Sequence, residues 1–368
     1  MSAANTLTRR LVMARYTVTA WKGKHLFVGI DMHRGFWHVT VLNEDGLKLF
    51  ANRISSDCGA ISQLLSRYGE AEQISAVYEA GYFGFWLHDF LQGMGVDARV
   101  TPPSLVPSQA GNRIKTDPKD SLKLASLLKS GDLTSVYVPS PEERAHRQVS
   151  RRRRQFIQDR VRVQQRIKAE LRFTGLEIPR ESNGRWSHVY VDNLRALRFP
   201  DPYQQASFEN LLDHYDQTSE LVSRQTDLLK KLARSEQYQD RVEILESIPG
   251  IGWLSAMEIL LELQDISRFQ RADAIAAYVG LTPGQYSSGD KVRVGRITRQ
   301  GKPMVRALLI QASWRLIQKD PVMQEKYDRI KVRAGGKRAI VAVARTLAKR
   351  MRRILLDAKP YQLDLRVA

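Results

Sequence analysis

LFVGIDMHRGFWHVTVLNEDGLKLFANRI occupies residues 26–54. Its first six residues, LFVGID, form a nearly continuous apolar run that ends in an acid, Asp31. That is the pattern of a buried strand. HVTVL (38–42) and KLFANRI (48–54) follow after short polar turns, so an antiparallel meander of three strands is expected. Further along, AISQLLSRY (60–68) reads as a helix and ISAVYEA (74–80) as a second buried strand. FGFWLHDFLQGMG (83–95) reads as a helix ending at glycines, and DARVT (97–101) as a short strand. PKDSLKLASLLK (118–129) repeats leucine at helical spacing: Leu122, Leu124, Leu127 and Leu128. Three hairpin-connected strands followed by alternating helices and strands specify an α/β layer fold.

The whole chain has 368 residues, enough for two or three domains. Lysine and arginine number 58 against 39 acids, a net charge of +19. Such an excess favours a polyanionic partner, because each neutralised phosphate releases counterions. No apolar run reaches bilayer length and the basic residues are spread along the chain, which favours nucleic acid over a membrane. A single cysteine, Cys58, excludes an internal disulfide and any cysteine-based zinc site, and a cytosolic chain is expected. Residues 1–24 are basic, lack an acid and lack a secretory core. They read as a flexible basic tail, with an organellar transit peptide as the alternative.

PSPEER (139–144) marks a boundary. After it comes a basic helix carrying RRRRQ (151–155), with one apolar face: Phe156, Val163, Ile167 and Leu171. Phe208, Tyr215, Val222 and Leu229 then recur every seven residues, with Leu211 and Leu232 as partners and gaps at Thr218 and Gln225. This is a short coiled-coil seam, read as an antiparallel hairpin that could also pair between chains. The expected organisation is a basic tail (1–24), an α/β domain (25–140), a helical coiled-coil region (141–240), a mostly helical domain (241–357) and a C-terminal tail (358–368).

Asp31 and Glu79 end buried strands, and Asp117 and Asp120 stand three apart at a helix start, on one face. Open α/β sheets place their sites at strand carboxyl ends. Four converging carboxylates repel one another, and a pair of Mg²⁺ ions removes that cost. Singly, each acid is also accounted for as a helix-start or surface acid. As a set within a basic chain, they have the arrangement of a ribonuclease-H-like nuclease core. His33, His38 and His88 are scattered and read as structural or surface. Arg151, Arg152, Arg153 and Arg154 read either as a solvated helix face or as nucleic-acid backbone contacts. LESIPGIGWLSAMEILLEL (245–263) reads as a helix-hairpin-helix in which Gly250 and Gly252 let backbone N–H groups approach a phosphate, or as an αα-turn with a glycine cap. In GQYSSGDKVRVGRITRQGK (284–302), Ser287 and Ser288 form a hairpin turn or supply a reactive hydroxyl.

The acid set with its KTDPKD segment, then IPGIG, AYVGLTP, SSG and GRITRQGKPMVRALLIQAS, in that order, resembles the insertion-sequence "one-ten" family of transposases, including its "eleven-eleven" branch. The resemblance runs over about residues 26–317. It implies a RuvC-like domain, a coiled coil and a transposase domain with a nucleophilic serine. On that pattern Asp31, Glu79, Asp117 and Asp120 hold Mg²⁺ or Mn²⁺, and Ser288, directly before glycine, is the nucleophile, with Ser287 its neighbour. Arg293, Arg296, Arg299 and Lys302 would then stabilise charge on phosphorus. The family further implies donor and target DNA, a structured bridge RNA, a homodimer assembling to a tetramer, and a bacterial or archaeal cytosolic, nucleoid-associated protein. The chain departs from the family at Ser121, where alanine is common, and this is expected to matter little. Two other readings compete: a RuvC-like metal-dependent Holliday-junction resolvase indifferent to Ser288, and a non-catalytic nucleic-acid architectural protein.

Overall fold

The computed structural model describes residues 23–107, 117–177, 186–288 and 291–363, with only the backbone described over 285–294. The basic tail expected over 1–24 falls outside them except for Gly23 and Lys24. The C-terminal residues from 364 and the side chains of Ser287, Ser288 and Arg293 are outside them as well. The chain divides into two compact units, Met1–Val138 and Pro139–Ala368.

The first unit is built on a five-stranded sheet of β1 (Leu26–Met32), β2 (Phe36–Asn43), β3 (Lys48–Ser55), β4 (Ile74–Glu79) and β5 (Asp97–Thr101). The strand order is β3-β2-β1-β4-β5. The meander β1–β2–β3 is antiparallel, whereas β4 joins β1, and β5 joins β4, in parallel. Alternation along the strands sorts the sheet's two faces. Leu26, Val28 and Ile30 pack with helices α1 (Cys58–Leu65) and α2 (Trp86–Gly93) through Ile61, Leu64, Leu87 and Leu91. The other face carries Phe27 and Val77 against Leu124 and Leu128 of α3 (Asp117–Ser130).

Helix α3 lies unusually close to β1, and Gly29 is the reason. A Cβ built there would stand 2.0 Å from the Ser121 carbonyl oxygen and 2.5 Å from the Ala125 nitrogen. Only a residue without a side chain lets helix backbone approach strand backbone this closely. Ser121 is fully buried at the contact and bonds His38 Nδ1 and Thr40 Oγ1 of β2, each at 2.8 Å. The expectation that serine at this position matters little is therefore corrected: its hydroxyl satisfies two buried polar groups.

Among the described residues, the second unit is helical apart from one hairpin. Its long helices α4 (Pro141–Thr174) and α6 (Pro202–Ala233) run antiparallel. Val163, Ile167 and Leu171 near the end of α4 meet Phe208, Leu212 and Tyr215 near the start of α6, while Gln225 reaches back to the Val149 carbonyl. The heptad positions 208, 215, 222 and 229 are all buried, Leu212 is buried beside them, and Leu211 packs half-buried on the same cluster. Thr218, a gap in the seam, is buried with its hydroxyl returned to the His214 and Tyr215 carbonyls. Short α5 (His188–Arg195) packs Tyr190 and Leu194 onto the same cluster.

Helices α7 (Gln239–Glu246), α8 (Trp253–Leu263) and α9 (Ala272–Tyr278) follow, then strands β6 (Pro283–Ser288) and β7 (Lys291–Ile297). The chain ends with α10 (Pro303–Leu316), α11 (Pro321–Ala334) and α12 (Gly336–Asp357). Leu229, Ala233 and Val149 of the long helices pack on the core of these later elements, so both segments belong to one unit.

Candidate active site

Asp31 stands near the carboxyl end of β1, on the face that carries Phe27 and Gly29 and looks toward α3. The parallel register pairs Ile30 with Tyr78, so Glu79, one residue further on β4, comes abreast of Asp31. Asp117 and Asp120 both lie in the first turn of α3. Strand ends and helix start thus bring the four predicted acids to one end of the layer. The tightest grouping among the described residues is Asp31, His33 and Asp117, whose candidate ligand atoms all lie within 4.8 Å of one another. His33 Nε2 is 3.1 Å from Asp31 Oδ2 and 3.5 Å from Asp117 Oδ1. Arg53 of β3 approaches the other Asp117 oxygen at 3.6 Å.

His33 was not expected here. It stands two residues past Asp31, where a turn closed by its N–H to the Phe36 carbonyl (3.0 Å) and a ring contact with Phe36 hold it. The period of two from Asp31 is the signal that could have found it. His38, paired directly across from Asp31, is buried and bonded to Ser121 as a structural histidine would be. Burial holds its pKa below the usual value.

Burial also raises the Asp31 carboxyl above its ordinary range; the neighbouring Asp120 and Asp117 add to the shift, and His33 opposes it. Gathering charge in this way has a cost that a divalent cation relieves. The donor set fits such an ion: two carboxylates and an imidazole at these separations could surround one cation at about 2.1 Å with small adjustments.

In the second unit, Ser287 pairs with Val292 and Ser288 with Lys291, so both serines end strand β6. The hairpin's base is fixed by backbone. Thr298 N–H donates to the Thr282 carbonyl (2.9 Å), and Lys302 N–H donates to the Tyr278 carbonyl (3.2 Å). The Arg306 guanidinium donates to the Val279 carbonyl at 2.9 Å. Gly280 and Gly301 have φ of +73° and +91°, and a Cβ on Gly301 would lie 1.9 Å from the Tyr278 oxygen. AYVGLTP and TRQGK are therefore two halves of one crossing.

The basic candidates separate. Arg296 and Arg299 are exposed. Lys302 instead pairs with buried Glu262 at 2.9 Å. Arg151 makes a two-bond contact with the same glutamate, at 2.8 and 3.0 Å. Arg153 and Arg154 reach Glu258 at 3.5 and 3.4 Å. The Arg151–Arg154 run, read as a solvated helix face or as nucleic-acid backbone contacts, divides in the structure. Three of its guanidiniums are held by α8, and Arg152 is exposed and in none of the described ion pairs. Gly252 is the exposed N-cap of α8 with open space at its α-carbon. Gly250, at φ +93°, is a packing glycine: a Cβ there would meet Arg315 Cβ at 2.8 Å and the Ala312 carbonyl oxygen at 2.9 Å.

Two family models match this chain. The DEDD-type IS110 model, described as "Transposase", covers residues 28–175, and "Transposase IS116/IS110/IS902 family" covers residues 242–328. The chain belongs to the IS116/IS110/IS902 family of transposases. It is similar to a putative transposase, y4qE, of Sinorhizobium fredii, with 26% identity over 79% of this chain and 72% of that one. It also resembles the transposase for insertion sequence element IS1533 of Leptospira borgpetersenii, 23% identical over 93% of this chain and 99% of the relative. The transposase for IS1111A of Coxiella burnetii is 23% identical over 91% of each chain. Both parts of this family member, the acids on the sheet and the hairpin, fall inside the matched regions. Among the described residues no helix is long and apolar enough to cross a membrane.

Proposed function

We propose that this chain cuts and rejoins DNA strands as an insertion-sequence recombinase, using a divalent-metal acidic centre and Ser288 as nucleophile. The observation that carries the reading is the gathering of Asp31 and Asp117 around His33 at the carboxyl end of β1. A meander joined to two parallel strands, with α3 across one face, supports a RuvC/RNase-H-like reading of the first unit. Asp31, Glu79, Asp117 and Asp120 would hold Mg²⁺ or Mn²⁺, which when bound polarises phosphoryl oxygens and offsets the gathered negative charge.

In this reading the Ser288 oxygen attacks phosphorus. A P–O bond to serine forms, a P–O bond to a deoxyribose oxygen breaks, and the leaving sugar hydroxyl takes a proton. A hydroxyl from another strand reverses the step and frees Ser288. One phosphodiester replaces another, so no ATP is needed. Arg293, Arg296 and Arg299 follow Ser288 in the chain and are the candidates to offset charge on phosphorus. The hairpin stretch has no histidine, so a carboxylate is the candidate to take the serine proton. The N–H groups that begin α8 after Gly252 would contact a DNA phosphate. A structured bridge RNA as guide, donor and target DNA as substrates, and a dimer pairing into a tetramer complete the proposal. The net charge of +19 supports a polyanionic partner.

The test is a denaturing gel for a covalent protein–DNA adduct. Full-length chain would be incubated with element-end DNA, Mg²⁺ and RNA transcribed from its own locus. The expected result is an adduct with the unaltered chain and with Ser287→Ala, and none with Ser288→Ala or Asp120→Asn. Cleavage that survives Ser288→Ala and leaves free hydrolysed ends would replace the recombinase with a metal-dependent resolvase. Transposition that survives Asp120→Asn would leave only an architectural role.

A further inference from the structure

Helices α11 and α12 enclose a cleft of about 410 Å³ that the acids and the hairpin do not use. Lys326 and Arg329 line it from α11, and Thr346, Lys349 and Arg350 from α12. Spacings of three and four residues on each helix point these side chains the same way. The cations are unequally neutralised. Arg350 is buried and paired with Asp320 at 2.8 Å. Lys349 and neighbouring Arg345 share exposed Asp273, at 2.7 and 2.8 Å. Glu325 sits at the rim, exposed. Among the described ion pairs, none involves Lys326 or Arg329.

Lys326 is only partly exposed. Burial lowers its pKa first, and the charges of Arg329, Lys349, Arg350 and Arg345 lower it further. A folded chain rarely gathers like charge in a partly desolvated place without a counter-ion. The cleft has room for a phosphate and its sugar. It is also built from cations on two rigid helices, the arrangement that positions a nucleic-acid backbone without reading its bases.

We propose that the α11–α12 cleft binds a phosphodiester of a nucleic-acid backbone through Lys326 and Arg329, residues that the proposed strand-exchange chemistry does not use. The proposal rests on nucleic acid being the partner, not on the serine or metal chemistry.

Full-length chain would be titrated with single-stranded DNA, duplex DNA and an RNA hairpin, by fluorescence anisotropy across a series of salt concentrations. The test variant is Lys326→Gln/Arg329→Gln. The control is Lys230→Gln/Lys231→Gln, two exposed lysines of α6 with the same loss of charge. The test variant should lose about tenfold in affinity, and the slope of log affinity against log salt should fall by about one to two. Its melting temperature without nucleic acid should hold or rise, since mutual repulsion has been removed. Lys326→Arg should keep wild-type binding. Loss confined to RNA assigns the cleft to RNA, and loss confined to DNA assigns it to DNA. Affinity and slope equal to the control's on all three probes would overturn the proposal. So would weakened binding accompanied by a lower melting temperature, which marks a structural role. Absence of binding by the unaltered chain would sink the nucleic-acid reading as well, so the two failures are distinguishable.

Discussion

Asp31 sets stability against chemistry. Burial raises its carboxyl pKa, and Asp120 and Asp117 raise it further. A folded-state value above the unfolded one means that ionising Asp31 costs stability. The cost is absent below the unfolded value near 3.8 and complete once pH exceeds the raised folded value. Asp31→Asn should therefore raise the melting temperature of the metal-free chain at neutral pH, with the gain vanishing in acid, and should abolish strand cleavage. Thermal scans across pH check this; a lower melting temperature at neutral pH would refute it. Gly29→Ala should cost about 2–3 kcal/mol in urea unfolding, because its methyl meets backbone that cannot rotate away. Ser121→Ala should cost about 1–3 kcal/mol by the same measurement, since His38 and Thr40 lose a buried partner. Asp31 and Asp117 were legible as positions, one ending an apolar run and one opening a helix. His33 was not, because its relation is to an acid two residues away rather than to another histidine.

Helix α8 shows how an element can be apolar by sequence yet tied by charge. Glu258 and Glu262, one turn apart within AMEILLEL, are both buried. Burial pushes both carboxyls up. At Glu262 the hydrogen bonds from Arg151 and the charge of Lys302 outweigh it and hold the group below its usual value. At Glu258 burial prevails over Arg154 and Arg153. A lowered pKa contributes stability above the unfolded value of 4.5, and that stability is lost as pH falls through the folded value. Glu262→Gln should thus destabilise the chain by about 3 kcal/mol at neutral pH, and Glu258→Gln by clearly less. Denaturant unfolding of the two variants side by side decides it; equal losses would contradict the assignment. These ties were not legible because Arg151 and Glu262 are 111 residues apart in the chain. The available signal was two acids at helical spacing inside an apolar run, which require basic partners. The seam of α6 was legible at its heptad positions and at Leu211, which packs on the same cluster, whereas buried Leu212 was not, because a straight helix drifts from a strict seven-residue repeat.

Across the whole molecule, each unit carries its own core. Calorimetry should resolve two transitions, and Leu309→Ala, at a fully buried site of the second unit, should shift only one of them. The expected cost is about 2–5 kcal/mol for that unit. A single transition shifted as a whole would show the units to be coupled. The α/β character of the first unit was legible from strand runs of uniform type. The assembly of the second was not, since its core joins segments from Val149 to Tyr361. The crossing at Gly280 and Gly301 has a practical corollary for protein engineering. The segment between them enters and leaves through one close backbone crossing, so it is an exchangeable cassette. Chimaeras with related transposases should be spliced outside both glycines, whereas a splice between them would separate the two sides of the crossing and leave neither parent's hairpin intact.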